Sequence, residues 1–224
     1  MLMSIIKKPS TDSETLFLSG LIELQYGKNA GKELQQYSEK VSWAKGWPLD
    51  DKAFWNAEAF MWSRKISKEK RELIKQELAF LVQGKNLKNL DIGCGAYSYL
   101  RSTGFDFSSK MLEFNDNLVK KVQGDLEKKL PFANGEYGSV TAVFVLNYVH
   151  NYLGLLSEIK RVLNKEGVLM VVLYSKQIND WQKQKVINDL SVKEWKDVLI
   201  KGGFSVDFYE KEELWFFRCY NNLE

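Results

Sequence analysis

The chain has 224 residues, 45% of them hydrophobic and 27% charged, and its formal net charge is +3. This length and composition fit one globular domain with an appendage and a sizeable core. The small net charge does not by itself require a nucleic acid or an anionic membrane as a partner. The two cysteines exclude a disulfide framework, and no cluster of cysteine and histidine has metal-ligand spacing, so we expect no metal site.

The N-terminal sequence MLMSIIKKPSTDSE has too few apolar residues before its lysines to form the core of a signal peptide. No run of apolar residues is long enough to cross a bilayer. We therefore expect a soluble, cytoplasmic protein that does not associate with membranes.

The first 66 residues contain several aromatic residues and lack glycine-bounded β runs. Pro48, Asp50 and Asp51 predict a helix start, and apolar residues then recur at helical spacing as far as Ile66. We predict a helical appendage over residues 1–66 and a main domain over residues 67–224.

The aromatic residues of the appendage have two interpretations. They either pack the appendage onto the main domain or form a lid over a ligand pocket. Trp62, Arg64 and Lys65 are the best candidates for such a lid.

The main domain opens with a helix capped by Ser67 that continues to about Val82. Gly84 and Asn86 end it, and a strand is predicted over Leu87 to Ile92.

A glycine bend follows this strand directly. Gly93 and Gly95 let the backbone turn tightly and approach a ligand that a Cβ atom would keep away. The next acid, Asp106, lies at the predicted tip of the second strand, where a carboxylate accepts hydrogen bonds from both hydroxyls of a ribose. The pattern is typical of a nucleotide site.

The connection between these two strands is unusually short, with only 13 positions from Gly93 to Asp106. A parallel crossover normally needs a dozen or more residues. Residues 96–103 therefore form at most about two helical turns or an irregular loop. A third glycine is missing, which counts against NAD or FAD, whose pyrophosphate binds at a full helix N-terminus.

The remaining elements are predicted from β-branched runs, helical periodicity and turn residues. The predicted strands and helices are a strand over 118–123, a strand over 139–146, a helix over 151–163, a strand over 168–174, a helix opened by a capping box at 191–194, and a hairpin of strands 204–209 and 214–220. Residues 175–190 are polar and poorly periodic, which indicates a mobile segment over the site.

Four segments resemble, in order, the motifs of class I S-adenosylmethionine-dependent methyltransferases. They are LDIGCG, GFDFSSKML, GDLEKKLPFANGEYGSVTAVFVLNYV and LLSEIKRVLNKEGVLMVVL. The resemblance runs from about Leu90 to Leu173. It implies an α/β fold with a doubly wound, mostly parallel seven-stranded sheet (Rossmann-like), an antiparallel C-terminal hairpin, and S-adenosylmethionine as cofactor. The shortened first crossover departs from the family, but this cofactor has no phosphate to bind.

The resemblance also implies a set of cofactor-binding residues. They are Asp91, Gly93, Cys94, Gly95, Asp106, Phe107, Met111, Asp125, Leu126, Phe144 and Val145. Asp106 is expected to bind the ribose or, alternatively, to cap the following helix. Asp125 is expected to accept from the adenine amine and Leu126 to pack on the ring, whereas Arg161 is expected to be structural.

Methyl transfer from a sulfonium is an in-line displacement, so orientation matters more than a strong base. The catalytic candidates are Asn147, Tyr148 and His150, at the mouth of the fourth strand. His150 is the sole histidine and is a candidate to deprotonate an acceptor, although a lone histidine near a helix start is also a common structural donor.

Three functions remain open on the sequence. The first is a methyltransferase acting on a small molecule. The second is a protein that binds the cofactor without transferring methyl and acts through a partner. The third is an RNA or protein methyltransferase, for which a rim of lysines is available, although these lysines are also compatible with a solvated face. The rim is Lys120, Lys121, Lys128 and Lys129, interrupted by Glu127.

Overall fold

The computed structural model describes residues 12–25, 31–82, 88–175 and 183–221. The chain divides into two compact units, Met1–Met61 and Trp62–Glu224. The described residues do not include Gly84, Asn86, Leu87 or residues 176–182 of the predicted mobile segment.

The described part of the first unit consists of three helices, with turns over residues 39–50. Its helices are α1 (Ser13–Gln25), α2 (Gly31–Ser38) and α3 (Asp51–Ala59). Asp50 caps α3 by accepting a 2.8 Å hydrogen bond from the Ala53 N–H. The helical spacing of apolar residues had suggested that this helix continues to Ile66. It ends instead at Ala59.

The aromatic residues of this unit pack on one another. The ring centroids of Phe17 lie 5.6 Å from Trp43 and 5.5 Å from Trp47, and Trp43 stacks on Phe60 at 5.0 Å. Phe17, Trp47 and Phe54 are almost fully buried. Aromatic contact thus gives the first unit a core of its own.

The second unit alternates helices and strands. Its elements are α4 (Trp62–Lys65), α5 (Lys68–Leu81), β1 (Asn89–Ile92), β2 (Ser102–Asp106), α6 (Ser109–Phe114), β3 (Leu118–Gln123), β4 (Tyr137–Val143), a 3₁₀ helix (Leu146–Tyr148), α7 (Tyr152–Val162), β5 (Leu163–Tyr174), α8 (Val192–Lys201), β6 (Phe204–Lys211) and β7 (Leu214–Asn221). Ser67 caps α5 and Ser191 with Glu194 forms the predicted capping box of α8.

The seven strands form one sheet in the order β3-β2-β1-β4-β5-β7-β6. Strands β1 to β5 are parallel, whereas β7 is antiparallel to both β5 and β6. This is the predicted doubly wound sheet with an antiparallel hairpin. The carboxyl ends of β1, β2 and β4 meet at one edge, where ligands bind in open α/β sheets.

Apolar side chains cover both faces of the central strands. One face packs against α7 and α8, through residues that include Leu156, Ile159 and Trp195. The other packs against α5, through Ile74 and Leu78. A sheet buried on both faces explains why β4 and β5 are nearly continuous apolar runs.

The connection from β1 to β2 is the irregular loop that the sequence allowed. Residues 93–101 contain no helix. Tyr99 is buried in the core on the α5 side, and Tyr97 and Leu100 pack against that core. These side chains cover sheet surface that a crossover helix would otherwise cover.

Strand β4 ends at Val143, so the prediction that it extends to Leu146 was wrong. Phe144 has a φ of 58°, a left-handed conformation that strand residues do not adopt, and the chain then turns into the 3₁₀ helix. The Phe144 N–H donates to the Val172 carbonyl at 2.8 Å. Strand β5 instead begins earlier than predicted, at Leu163 directly after α7.

Arg161 has the structural role expected of it. Its guanidinium donates to the carbonyl oxygens of Leu130 and Phe132 at 2.9 and 2.8 Å and pairs with Glu158 at 2.7 Å. It thereby fixes the segment between β3 and β4 to α7. Within the described parts of the chain, no helix is both long and apolar enough to span a membrane.

A buried polar ladder crosses the sheet at β1. The Asn89 amide donates to Ser102 and Thr141, and the Thr141 hydroxyl donates to Asp91 at 2.8 Å. The Ser98 hydroxyl donates to the other oxygen of Asp91 at 2.5 Å. Burial nevertheless raises the pKa of Asp91 to about 7, because it disfavours the charged carboxylate.

This raised pKa predicts how stability depends on pH. The unfolded chain loses the Asp91 proton near pH 4, before the folded chain does, so this group's stabilising contribution falls as pH rises towards about 7. The variant Asp91→Asn cannot titrate at this position. Its free energy of unfolding should therefore increase relative to that of the wild type as pH rises, by about 1.4 kcal/mol for each pKa unit of the shift.

Urea unfolding at about pH 5 and about pH 8 measures this difference. Asp116→Asn, at an exposed position, is the matched control and should show no such trend. A gap between Asp91→Asn and wild type that stays constant across the pH range would contradict the prediction.

Candidate functional site

The glycine bend after β1 forms as the sequence predicts. Gly93 and Gly95 have φ values of 55° and 56°, which favour glycine. A Cβ atom on Gly93 would lie only 2.6 Å from Cγ2 of Val145. The bend therefore packs closely on the residues that follow β4.

Asn115, which follows α6, holds the bend in place. Its fully buried amide donates to the carbonyl of Gly95 at 2.9 Å and to the hydroxyl of Ser98 at 3.0 Å. Its oxygen accepts from the Ser98 N–H at 3.3 Å. The sequence analysis did not identify Asn115 or Ser98, since nothing local marks either as a partner of the bend.

Asp106 joins the bend to the tip of β2. Its carboxylate accepts from the Gly95 N–H at 3.0 Å and from the Ser108 N–H at 2.8 Å, and the residue is 7% exposed. Burial raises its pKa to about 6. Ser108, whose hydroxyl accepts from the Met111 N–H, is the cap of α6, so Asp106 is not the helix cap considered as the alternative.

Cys94 lies within the bend, and its backbone N–H and carbonyl are hydrogen-bonded to other residues of the protein. Its N–H donates to the Phe105 carbonyl at 3.3 Å, and its carbonyl accepts from Asn115. The thiol is buried against Gly104 of β2, where a Cβ atom would come within 2.8 Å of the sulfur. Burial raises the pKa of this thiol well above its usual value, so it is neutral at physiological pH.

Further predicted cofactor residues surround Asp106. Phe107 is half-buried, and Met111 is buried on α6. The Gly124 N–H donates to the Asp106 carbonyl at 3.0 Å, which brings the half-buried Asp125 and Leu126 beside the tip of β2.

Asp125 and the lysine rim are engaged locally. The Asp125 carboxylate accepts from the Glu127 N–H at 3.0 Å and lies 3.6 Å from Lys128. Lys121 donates to the Glu113 carbonyl. Lys120 and Lys129 are exposed, as are the other two lysines of the rim.

Of the lid candidates, Trp62 lies against the bend. An ideal Cβ on Gly95 would be 3.5 Å from its indole ring. Burial lowers the pKa of Lys65 to about 7, and the side chain of Arg64 lies outside the described residues. All three follow Met61 and so belong to the second compact unit.

A cavity of about 610 Å³ opens beside the ends of β4 and β5. It is lined by aromatic residues, Phe144, Tyr148, Tyr174 and Trp215, and by Asn147, Ser175, Lys183, Val186, Asp189 and Leu190. Phe144 both lines the cavity and precedes Val145, which contacts the glycine bend. The cavity and the bend are therefore adjacent.

The catalytic candidates separate into two groups. Asn147 and Tyr148 line the cavity, whereas His150 is exposed and its backbone N–H donates to Glu127. The Asn147 amide donates to the Asn188 carbonyl at 2.9 Å, and the Asn147 carbonyl accepts from the Asn188 N–H at 3.0 Å. Asn147 thus fixes the described end of the predicted mobile segment to the cavity.

Comparison with known proteins relates the central part of the chain to methyltransferases. A family model described as a methyltransferase domain matches residues 90–171. An uncharacterised protein of Methanocaldococcus jannaschii is 32% identical over 131 residues, which cover 54% of this chain and 56% of that protein. A demethylmenaquinone methyltransferase of Staphylococcus aureus is 36% identical over 110 residues, which cover 42% of this chain and 45% of that enzyme. The chain thus spans about half the length of the curated relatives it matches.

Superposition on solved structures also relates the chain to methyltransferases. A solved structure from Methanococcus maripaludis, with a proposed S-adenosyl-L-methionine-dependent methyltransferase activity, superposes with a TM-score of 0.62 at 17% identity, over 78% of this chain and 94% of that one. Residues 90–171 are therefore similar to a methyltransferase domain, and the seven-stranded unit that contains them shares its fold with this solved structure.

Proposed function

We propose that the chain binds S-adenosylmethionine at the carboxyl ends of β1, β2 and β3 and transfers its methyl group to a small molecule in the cavity beside β4 and β5. The observation that carries this proposal is the position of the glycine bend. The bend is bonded to Asp106 on one side and packed on Val145 on the other. It therefore links the predicted adenosine site to the cavity.

The residues present fit an adenosine with a cationic sulfur. The Asp106 carboxylate accepts from the Gly95 N–H at one oxygen and from the Ser108 N–H at the other. Its two oxygens together have about four acceptor sites, so a ribose hydroxyl can also bind here. Phe107 and Leu126 are half-buried apolar side chains on either side of this acid in the chain. Residues 93–101 offer no helix N-terminus for a pyrophosphate, so a dinucleotide fits less well.

Trp62 shapes the space above the bend. Its ring lies at ordinary contact distance from where a Gly95 Cβ would be, so the gap between ring and backbone is too thin for a ligand. The amino acid end of the cofactor accordingly lies beside the indole. Trp62 acts as a wall of the site in this arrangement.

Bound S-adenosylmethionine supplies a methyl group on a positively charged sulfur. The protein positions that methyl in line with an acceptor and keeps water away, which is the main part of catalysis for such a displacement. Asp91 and Asp106 are both buried near the bend. Asp106, with a pKa of about 6, is mostly ionised at neutral pH, and its negative charge favours the cationic cofactor.

A small-molecule acceptor is favoured by the cavity. A volume of about 610 Å³ lies in the range of small-ligand sites. The demethylmenaquinone methyltransferase, whose name denotes a small-molecule substrate, gives weaker support because it matches only part of the chain. Two buried free thiols, Cys94 and Cys219, suit a reducing cytoplasm.

Asp106 provides a direct test of the cofactor site. Asp106→Ala should weaken S-adenosylmethionine binding by about 10- to 150-fold, because losing hydrogen bonds to a charged group costs about 1.5 to 3 kcal/mol. Asp106→Asn, which keeps the side-chain shape, should weaken binding less. Isothermal titration calorimetry measures both, with thermal unfolding to show that the variants fold.

Asp116→Ala, on the exposed turn after α6, is the control and should bind as the wild type does. Equal affinities for wild type and Asp106→Ala would remove Asp106 from the cofactor site.

Turnover separates a methyltransferase from a protein that only binds the cofactor. With S-adenosylmethionine and the low-molecular-mass fraction of a cell extract, the chain should release S-adenosylhomocysteine above the rate without extract. The macromolecular fraction should add less, and treatment with nuclease or protease should not abolish the signal. Cofactor binding without release in any fraction would support the non-catalytic alternative.

A further inference from the structure

Tyr174, in the lining of the cavity, has a hydroxyl that is hydrogen-bonded to both a cation and an anion. Its hydroxyl accepts a hydrogen bond from the Lys70 ammonium and donates to Oε2 of Glu213 at 3.2 Å. Lys70 and Glu213 are also bonded to each other, at 3.1 Å. The Lys70 nitrogen lies 4.3 Å from the centre of the Tyr174 ring.

Three separate elements bring this cluster together. Tyr174 ends β5, Lys70 lies in α5, and Glu213 lies in the turn between β6 and β7. The Ser175 N–H donates to the Glu213 carbonyl at 2.9 Å, which fixes the turn to the end of β5. Glu213 has a φ of 65°, so its backbone is held in a conformation that non-glycine residues seldom adopt. Such outliers persist where the surrounding contacts require them.

The other polar groups of the cavity are less suited to taking a proton. Asn147 is bonded to Asn188 and does not titrate. Burial raises the pKa of Tyr148 to about 12, so its phenol stays protonated. Lys183 and Asp189 are exposed at the rim. His150 is exposed and is not among the lining residues of the cavity.

We propose that the cavity binds a planar aromatic compound with an ionisable hydroxyl group, and that Tyr174 takes the proton of that hydroxyl while passing its own to Glu213. This inference rests on the proposed function, because it names the acceptor class of the same site. Tyr174 is the catalytic residue in this step. Glu213 and Lys70 are positioning residues that act through it.

The walls of the cavity select the ring. Phe144, Tyr148, Tyr174 and Trp215 present aromatic surface, which prefers stacked or edge-on contact with another ring. The hydroxyl follows from the cluster: an aromatic hydroxyl can donate to the Tyr174 oxygen while Tyr174 donates to Glu213, so its proton has a hydrogen-bonded path to a carboxylate. An aliphatic alcohol is a far weaker acid and is not matched in this way.

The step balances in atoms and charge. The O–H bond of the acceptor breaks and an O–H bond forms on Tyr174, while the original Tyr174 proton moves to the Glu213 carboxylate. The acceptor oxygen then bonds to the methyl carbon as the carbon–sulfur bond breaks, so the positive charge of the sulfur and the negative charge of Glu213 are both lost. The Glu213 side chain is 41% exposed and can return its proton to solvent.

The test uses 4-nitrophenol, whose phenolate absorbs visible light and whose phenol does not. The full chain is saturated with S-adenosylhomocysteine, so that no methyl transfer consumes the probe, in a buffer acidic enough to keep free probe mostly protonated. Equilibrium dialysis gives the amount bound and absorbance gives the ionised share. Bound probe should be at least threefold more ionised than free probe.

Tyr174→Phe and Glu213→Gln should return the ionised share to that of free probe while changing probe binding by less than threefold. Tyr220→Phe is the matched control, because Tyr220 donates to Asp207 at 2.9 Å in a similar pair that does not line the cavity. It should ionise the probe as the wild type does. 4-Nitroanisole, which has no proton to lose, should bind without a change in its spectrum.

The proposal is overturned if the wild type does not bind 4-nitrophenol, if bound probe is no more ionised than free probe, or if Tyr174→Phe ionises it as the wild type does. Failure of the proposed function has a different signature. In that case calorimetry on the same sample shows no binding of S-adenosylhomocysteine, whatever the probe does in the cavity.

Discussion

The site depends on the hydrogen bond between the Gly95 N–H and the Asp106 carboxylate. It joins the glycine bend after β1 to the tip of β2, at 3.0 Å and almost out of contact with water. A charged acceptor buried in this way makes a stronger bond than a neutral one. The bend has no crossover helix behind it, so this bond and those of Asn115 replace the rigidity that a helix would give.

The same replacement explains the buried polar groups around the bend. Ser98 bonds to both Asn115 and Asp91, and so links the crossover loop to β1 and α6. A short loop with buried backbone groups needs such partners, because unpaired polar groups are costly to bury. The raised pKa values of Asp91 and Asp106 show the cost of placing two acids here. Perturbed acids in a cleft are typical of functional sites.

Elements whose signal is local were predictable from the sequence. Short apolar runs predicted β3, aromatic-rich runs predicted the C-terminal hairpin, and the capping box predicted the start of α8. The strand ends that position the site were also predictable, because glycine and acid follow each apolar run. The end of β4 was not, since the left-handed Phe144 depends on its bond to Val172, which only the folded sheet provides.

The sequence analysis missed residues whose hydrogen-bond partners are distant in the chain, for the same reason. Asn115 bonds to residues about twenty positions away, and Tyr174 bonds to Lys70 and Glu213, which lie on other elements of the domain. No periodicity or spacing marks such groups, whereas His150 attracted attention as the sole histidine and lies exposed. Chemistry-bearing residue types are visible in a sequence, but their convergence is a property of the fold.

A crystal structure of the chain with S-adenosylhomocysteine tests the central claim most directly. We expect the ribose hydroxyls to lie within hydrogen-bond distance of Asp106, the homocysteine end to lie beside the Trp62 indole at the edge of the glycine bend, and the sulfur to face the cavity at Phe144. A ligand bound elsewhere on the chain, or a ribose with no contact to Asp106, would contradict it.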